Sequence, residues 1–302
     1  MWKRIIIRTH DLPSQSIIKG KGVSKKEIKG YINLIRPHNA AIGGFSVFIG
    51  AFLTGSLQPV YPLIAACVSG LLLTAAANTI NDYYDVDSDR INKPKRPIPA
   101  GKVTRSSARK IAMILYISGI AAGALVNRTA LIIAAIVSLL TYVYSARLKR
   151  TSFWGNLLVA LLTSSAFIYG GVAVGRVRES LIPAIFSFFF HFGREVLKDI
   201  EDMEGDAESG IKTFPLKYGI EPSLKLAGFS FGLLIILTFL PFLYEIYNLI
   251  YFIVVLLGVD LVLVYTMISA RRDSGSANLK RLNTLLKIDM LVGLFSMYLG
   301  IA

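Results

Sequence analysis

Acidic residues are scarce in this chain: 19 Asp and Glu stand against 33 Lys and Arg in 302 residues, a formal net charge of +14. Cysteine occurs once, as Cys67, which excludes an intramolecular disulfide and a thiolate zinc centre. The histidines His10, His38 and His191 lie far apart and offer no metal-ligand spacing. Long polar stretches are missing too. The chain is 54% hydrophobic with a mean hydropathy of +0.57, beyond an ordinary soluble domain. One large water-soluble helical core is a poor alternative, because almost no polar face remains to meet water.

What replaces polar sequence is a series of nine apolar stretches, at about 31–54, 60–81, 108–126, 129–146, 154–175, 180–198, 223–244, 247–270 and 282–301. Each approaches the roughly 20 residues that a helix needs to cross a bilayer core. The expected architecture is all-α: nine transmembrane helices in a domain over 30–302, preceded by a basic extension over 1–29. The Ile5-Ile6-Ile7 run in that extension is too short for a signal-peptide core.

Basic residues set the orientation. The segments 1–36, 82–110, 147–150, 194–225 and 271–287 hold 30 of the 33 Lys and Arg; the opposite side holds Arg128, Arg176 and Arg178. By the positive-inside rule the N-terminus and the loops of the first group are cytoplasmic in a multi-pass cell-membrane protein, and an odd helix count puts the C-terminus outside. The excess positive charge is then topology and attraction to lipid headgroups, so nucleic acid is not needed as a partner. Nothing in the sequence sets an oligomeric state.

The few acids are concentrated. Residues 82–89 and 199–208 hold 10 of the 19. Asp82, Asp85 and Asp89 follow the spacing i, i+3, i+7, and Asp199, Asp202 and Asp206 repeat it 117 residues later. On a helix those steps return to one face, so each triplet projects as an acidic stripe where an apolar stretch ends. Carboxylates this close repel unless a cation lies between them, and an oxygen-only ligand set suits Mg²⁺. Asn81 adds an amide oxygen beside Asp82, and Arg90, Lys93, Lys95 and Arg96 follow within a proline-stiffened loop. Arg194 and Lys198 precede the second stripe. Carboxylates for Mg²⁺ beside cations for phosphate oxygens suit a diphosphate. The expected division is Asp82, Asp85 and Asp89 for one ion and Asp202 and Asp206 for another, with Asp199 either joining the second set or orienting it from behind. A transporter is the alternative from another class, but its coupling carboxylates belong near the midplane, where only Asp260 qualifies.

The run Asn81-Asp82-x-x-Asp85-x-x-x-Asp89 resembles the NDxxDxxxD signature of the UbiA superfamily of intramembrane prenyltransferases. Arg96-Pro97-Ile98-Pro99-Ala100-Gly101 resembles that family's RPIPxG loop, and Asp202-x-x-x-Asp206 its second acidic motif. Tyr144 to Arg150 is similar to the basic turn after the family's fourth helix, and Asn39 matches an asparagine of its first. The likeness covers about 30–302. It implies nine helices around a cavity and Mg²⁺-dependent prenyl transfer from an isoprenyl diphosphate, with Asn39, Asn81, Lys93, Arg96, Tyr144, Lys149, Arg194 and Lys198 binding substrate. The second motif is most similar to the archaeal branch that makes digeranylgeranylglyceryl phosphate in phospholipid synthesis, and the cations Arg147, Lys149 and Arg150 suit an acceptor carrying its own phosphate. Prenylation of an aromatic quinone precursor is the alternative within the family.

Three further polar residues fall inside apolar stretches, of which His191 is expected to be an interhelical hydrogen-bond partner. Asp260 is a functional candidate by its depth alone, or else a structural partner. Asp289 is placed to pair with Lys287 at the interface. Among Phe186, Phe188, Phe189, Phe190 and Phe192, some are expected to line a prenyl tunnel.

Overall fold

The structure is a computed structural model describing residues 25–151, 153–208, 210 and 212–301. Most of the basic extension, residues 1–24, lies outside the described residues. The described chain is entirely helical. In order, it forms α1 (Lys25–Ile35), α2 (Pro37–Phe52), α3 (Val60–Tyr84), α4 (Val86–Asn92), α5 (Arg105–Ala124), α6 (Arg128–Ala146) and α7 (Trp154–Ala173). There follow α8 (Val177–Glu201), α9 (Met203–Glu208), α10 (Phe214–Tyr218), α11 (Ile220–Leu243), α12 (Leu249–Val255), α13 (Leu261–Arg272) and α14 (Ser276–Ile301). A π-turn at Leu256–Asp260 joins α12 to α13 within one continuous span.

Large apolar side chains cover the outside of the bundle. Ile117, Phe229 and Ile236 are each more than 60% exposed, a surface that suits lipid and not water. Among the described residues seven helices are long and apolar enough to cross a membrane: α3, α6, α7, α8, α11, the α12–α13 span and α14. This is a multi-pass membrane protein. The other two expected spans are helical but fall short by that measure. α2 has 16 residues, and α5 carries Arg105, Arg109 and Lys110 in its first turns. Nine spans is therefore more than length and apolarity alone support.

The first expected span, 31–54, is broken at Arg36. A residue before proline is disfavoured in the right-handed helical region, and Arg36 takes φ 49, ψ 72 ahead of Pro37. The break turns α1 away from α2 and docks Leu34 with Val86, Ile98, Val103 and Ala108. α1 thus lies against the loop that follows the first acidic stripe.

Two cores form side by side. One gathers small residues of α3, α5, α6 and α7, including Ala66, Ala76, Ala112 and Ala134, as close helix packing in lipid favours. Tyr169 donates to Ser69 Oγ (2.8 Å), which donates to the Gly119 carbonyl (2.7 Å), tying α7, α3 and α5 together. The other core is built by α8, α11, α12, α13 and α14 around Leu197, Phe231, Tyr251, Leu263 and Leu286. α2 and α7 meet between them almost backbone to backbone. A Cβ on Gly50 would sit 2.6 Å from the Phe167 Cα, and one on Gly170 would sit 2.2 Å from the Val47 carbonyl oxygen.

Candidate active site

Both acidic stripes cross a helix break at their middle aspartate. α3 ends at Tyr84, Asp85 caps it, and α4 carries Asp89; α8 ends at Glu201, Asp202 caps it, and α9 carries Asp206. The continuous helical face expected from the spacing is thus two short arcs joined at a bend. The backbone bridges the bend. The Asp85 N–H donates to the Asn81 carbonyl (2.9 Å) and the Asp89 N–H to the Asp85 carbonyl (2.8 Å). Asp202 and Asp206 make the corresponding bonds to Lys198 and Asp202, each at 3.0 Å.

The first stripe is dry and clamped by cations. Asp82 and Asp89 are buried, at 2% and 3% exposure. Such buried carboxylates persist only when paired. Arg36 donates to Asp82, Lys149 to Asp85, and Arg96 reaches all three: 3.2 Å to Asp82, 4.0 Å to Asp85 and 2.6 Å to Asp89. Lys93 caps α4 beside Arg96. Burial, and then the Arg96 charge, push its ammonium below the usual lysine range.

The second stripe is more open. Asp202 pairs with Lys198 one turn back, both half-exposed. Asp199 accepts from Asn156 (2.7 Å). Arg194 bonds Glu195 (3.1 Å), and its Nε is buried without a partner. Burial, and then repulsion from Asp202, raise the Asp206 carboxyl above the ordinary range. Lys149, already on Asp85, lies within electrostatic reach of Asp206, and Tyr144 lies within reach of Asp85, Glu195 and Asp199. The basic turn after α6 is therefore where the two stripes face each other.

Below them are two apolar chambers. The first, about 300 Å³, lies among α2, α3, α6 and α7, with Asn39 and Asn78 at its acidic end. The second, about 370 Å³, lies among α2, α7, α8, α11 and α14, with Phe186 and Phe190 of the expected tunnel phenylalanines in its wall. Ile42, Ser46 and Thr163 border both, so the chambers adjoin there, and the Gly50–Gly170 contact of α2 with α7 keeps them apart further on.

Among the described residues no three His, Cys, Asp or Glu side chains form a ready metal-ligand group; lysine and arginine heads hold the carboxylates instead. The donor chemistry still fits a hard dication, because every candidate atom is oxygen. In addition, Asn81 Oδ1 is buried beside Asp82 with no partner. Asp289 does not pair with Lys287. Two residues apart on α14, they point to different faces; Asp289 is buried and Lys287 exposed. Asp260 is partnered: Thr238 Oγ1 lies 3.1 and 3.3 Å from its two oxygens.

Four polar residues of the site were not singled out from the sequence. Asn78 lies one turn before Asp82, a spacing that could have flagged it. Arg36, Asn156 and Asn283, which donates to Glu201 (2.7 Å), touch acidic residues from 43 to 82 positions away. Nothing local announces them.

Known proteins resemble this chain in sequence and fold. The digeranylgeranylglyceryl phosphate synthase of Methanopyrus kandleri is 34% identical over 269 residues, 89% of this chain and 98% of that protein. That of Saccharolobus solfataricus is 36% identical over 279 residues, 90% and 97% of the two chains. A solved digeranylgeranylglyceryl phosphate synthase superposes with a TM-score of 0.83 at 33% identity, covering 91% of this chain and 99% of that one. A UbiA homolog from Archaeoglobus fulgidus bound to DMAPP and Mg²⁺ shares the fold, with a TM-score of 0.69 at 22% identity over 89% and 99%. Residues 44–291 match the UbiA prenyltransferase family. With those matches and two aspartate-capped breaks above paired apolar chambers, the chain belongs to the UbiA prenyltransferase family and is a membrane prenyltransferase.

Proposed function

We propose that this enzyme transfers a geranylgeranyl group from its diphosphate to the free hydroxyl of geranylgeranylglyceryl phosphate, forming the second ether of an archaeal lipid. The observation that carries this reading is the likeness to digeranylgeranylglyceryl phosphate synthases over nearly the whole length of both chains. The 30-to-3 division of basic residues supports placing both acidic stripes and the N-terminus at the cytoplasmic face.

The residues divide the work by charge. Asp82, Asp85 and Asp89, with Asn81 Oδ1, would hold one Mg²⁺, and Asp202 and Asp206, with Asp199 behind them, a second. Bound there, Mg²⁺ supplies Lewis-acid stabilisation of the departing diphosphate. Arg96, Lys93, Arg194 and Lys198 are placed to neutralise phosphate oxygens, and Lys149 stands between the two stripes to do so from both sides. Asn39 and Asn78 present amides where the first chamber meets the acidic end, suited to the diphosphate as the prenyl chain enters. The apolar chamber walls keep water from the allylic carbon while its bond to the diphosphate breaks.

The test is transfer of radiolabelled geranylgeranyl diphosphate by purified protein in detergent with Mg²⁺, offering geranylgeranylglyceryl phosphate and 4-hydroxybenzoate in parallel. The expected outcome is a labelled lipid that disappears with EDTA and returns with added Mg²⁺. Label on the aromatic acid alone would move the acceptor to quinone precursors.

A further inference from the structure

Prenyl transfer as described leaves two buried acids without a task, Asp260 and Asp289, and of these only Asp289 lacks a hydrogen-bond partner among the described residues. Asp289 is 2% exposed, and neither of its carboxylate oxygens has a hydrogen-bond partner. It lines the second chamber, where His191 is the other ionisable side chain in the wall. A buried carboxyl group with no partner is costly, and here it sits, enclosed, in the wall of a mostly apolar chamber. Asp260 lies within electrostatic reach behind it but is already bound by Thr238. The unmet need in this chamber is a hydrogen-bond donor on an apolar ligand.

Position narrows the choice of ligand. Asn283 bonds Glu201, which fixes the level of α14 relative to the end of α8, next to the second stripe. Asp289 follows six residues later, about 9 Å along the helix axis. Helical side chains lean toward the helix N-terminus, and the N-terminal end of α14 is the acidic end. The Cα–Cβ bond of Asp289 therefore leans toward the diphosphate level, while Met297 and Pro183 lie further down the same wall. A group one diphosphate length below the stripes is where the allylic carbon must meet its nucleophile.

Of the two substrates in the proposed reaction, only the acceptor carries a hydroxyl donor near that level; the donor's chain has none. The first chamber has the complementary character. Its polar head is Asn78, whose buried Nδ2 lacks a partner and would donate to a phosphate oxygen. We infer that the second chamber holds the isoprenoid chain of the acceptor, and that Asp289 binds the acceptor's free hydroxyl and holds it toward the allylic carbon. This rests on the reading of the reaction given above. It adds a specificity-determining contact outside both acidic stripes.

The test uses the full-length enzyme in detergent with Mg²⁺, and two ligands: geranylgeranylglyceryl phosphate and its analogue with the free hydroxyl replaced by hydrogen, the latter as a competitive inhibitor. Asp289→Leu should raise the KM for the acceptor roughly 3- to 30-fold, as loss of a buried hydrogen bond does. The KM for the prenyl diphosphate and the inhibition constant of the deoxy analogue should not move. Asp289→Asn, which keeps the shape and one acceptor oxygen, should fall between Asp289→Leu and wild type and guards against a folding defect in the leucine variant. An acceptor KM unchanged in both variants overturns the assignment. So does equal weakening of acceptor and deoxy analogue, which would mark Asp289 as structural. Failure of the wild-type protein to prenylate geranylgeranylglyceryl phosphate would instead overturn the reaction, and the inference with it.

Discussion

Asp85 and Asp202 hold the same place in two separate parts of the chain. Each is the first residue beyond a 25-residue helix, with φ, ψ of −86, 3 and −93, 2. Each accepts at its carbonyl from the N–H of the aspartate four residues on, and each is paired with a lysine. The repeat in the sequence spacing is thus a repeat in backbone geometry.

Removing either of these two carboxylates should stop turnover without unfolding the protein. Asp85→Ala and Asp202→Ala are expected to lower the transfer rate by roughly 10²–10³-fold or more, the size of effect seen when one electrostatic contact to a developing charge is lost. Transfer assays alongside size-exclusion profiles in detergent check this. Near-normal activity in either variant would sink the two-ion arrangement.

Arg36 can be tested against its own backbone. Its left-handed conformation costs about 1–2 kcal/mol for a residue other than glycine, and Arg36→Gly relieves that strain. The same change removes the guanidinium from buried Asp82, whose remaining ion-pair partner among the described residues is Arg96. A lost hydrogen bond to a buried charge costs about 1.5–3 kcal/mol, so the variant should melt lower. A melting temperature at or above wild type would show that backbone strain outweighs the ion pair.

Gly170 leaves no room for a methyl group against α2. Gly170→Ala should force the two helices apart and destabilise the protein by about 1–3 kcal/mol, read as a lower melting temperature in detergent. Gly205 is a fair control, since a Cβ there meets nothing within 4 Å.

The Asp206 carboxyl group is raised by burial and by Asp202. The native state then holds its proton more tightly than the unfolded chain does. Stability falls as pH rises from the ordinary carboxylate value to the raised one, and the penalty stays above that window. In EDTA, Asp206→Asn should flatten this fall on the alkaline side of the ordinary carboxylate value. A melting curve with the same pH slope as wild type would assign the slope to other groups.

The parts of this protein that are legible in the sequence are those written in short-range spacing. The two stripes, the cations of the Arg96 loop and the apolar spans repeat within a few residues, so periodicity and charge reveal them. The break at Arg36 is also local, announced by Pro37, yet a hydropathy reading runs straight through it because its flanks remain apolar. Arg36 on Asp82 and Asn156 on Asp199 join residues 46 and 43 positions apart; only helix packing brings them together. The division into two chambers is hidden for a related reason. It depends on which face Gly50 and Gly170 present to each other, and single glycines in an apolar helix carry no such label.

The contact of Gly50 and Gly170 gives the partition between the chambers a mechanical character. Ordinary pocket walls adapt by turning side chains into new rotamers, but here backbone lies against backbone and there is nothing to turn. At that level the partition yields only if α2 and α7 move as whole rods, whereas at Ile42, Ser46 and Thr163, where the chambers adjoin, side chains form the divide. Where Gly50 meets Gly170, the distance between the chambers is thus a property of two helices packed as rods and not of any one side chain.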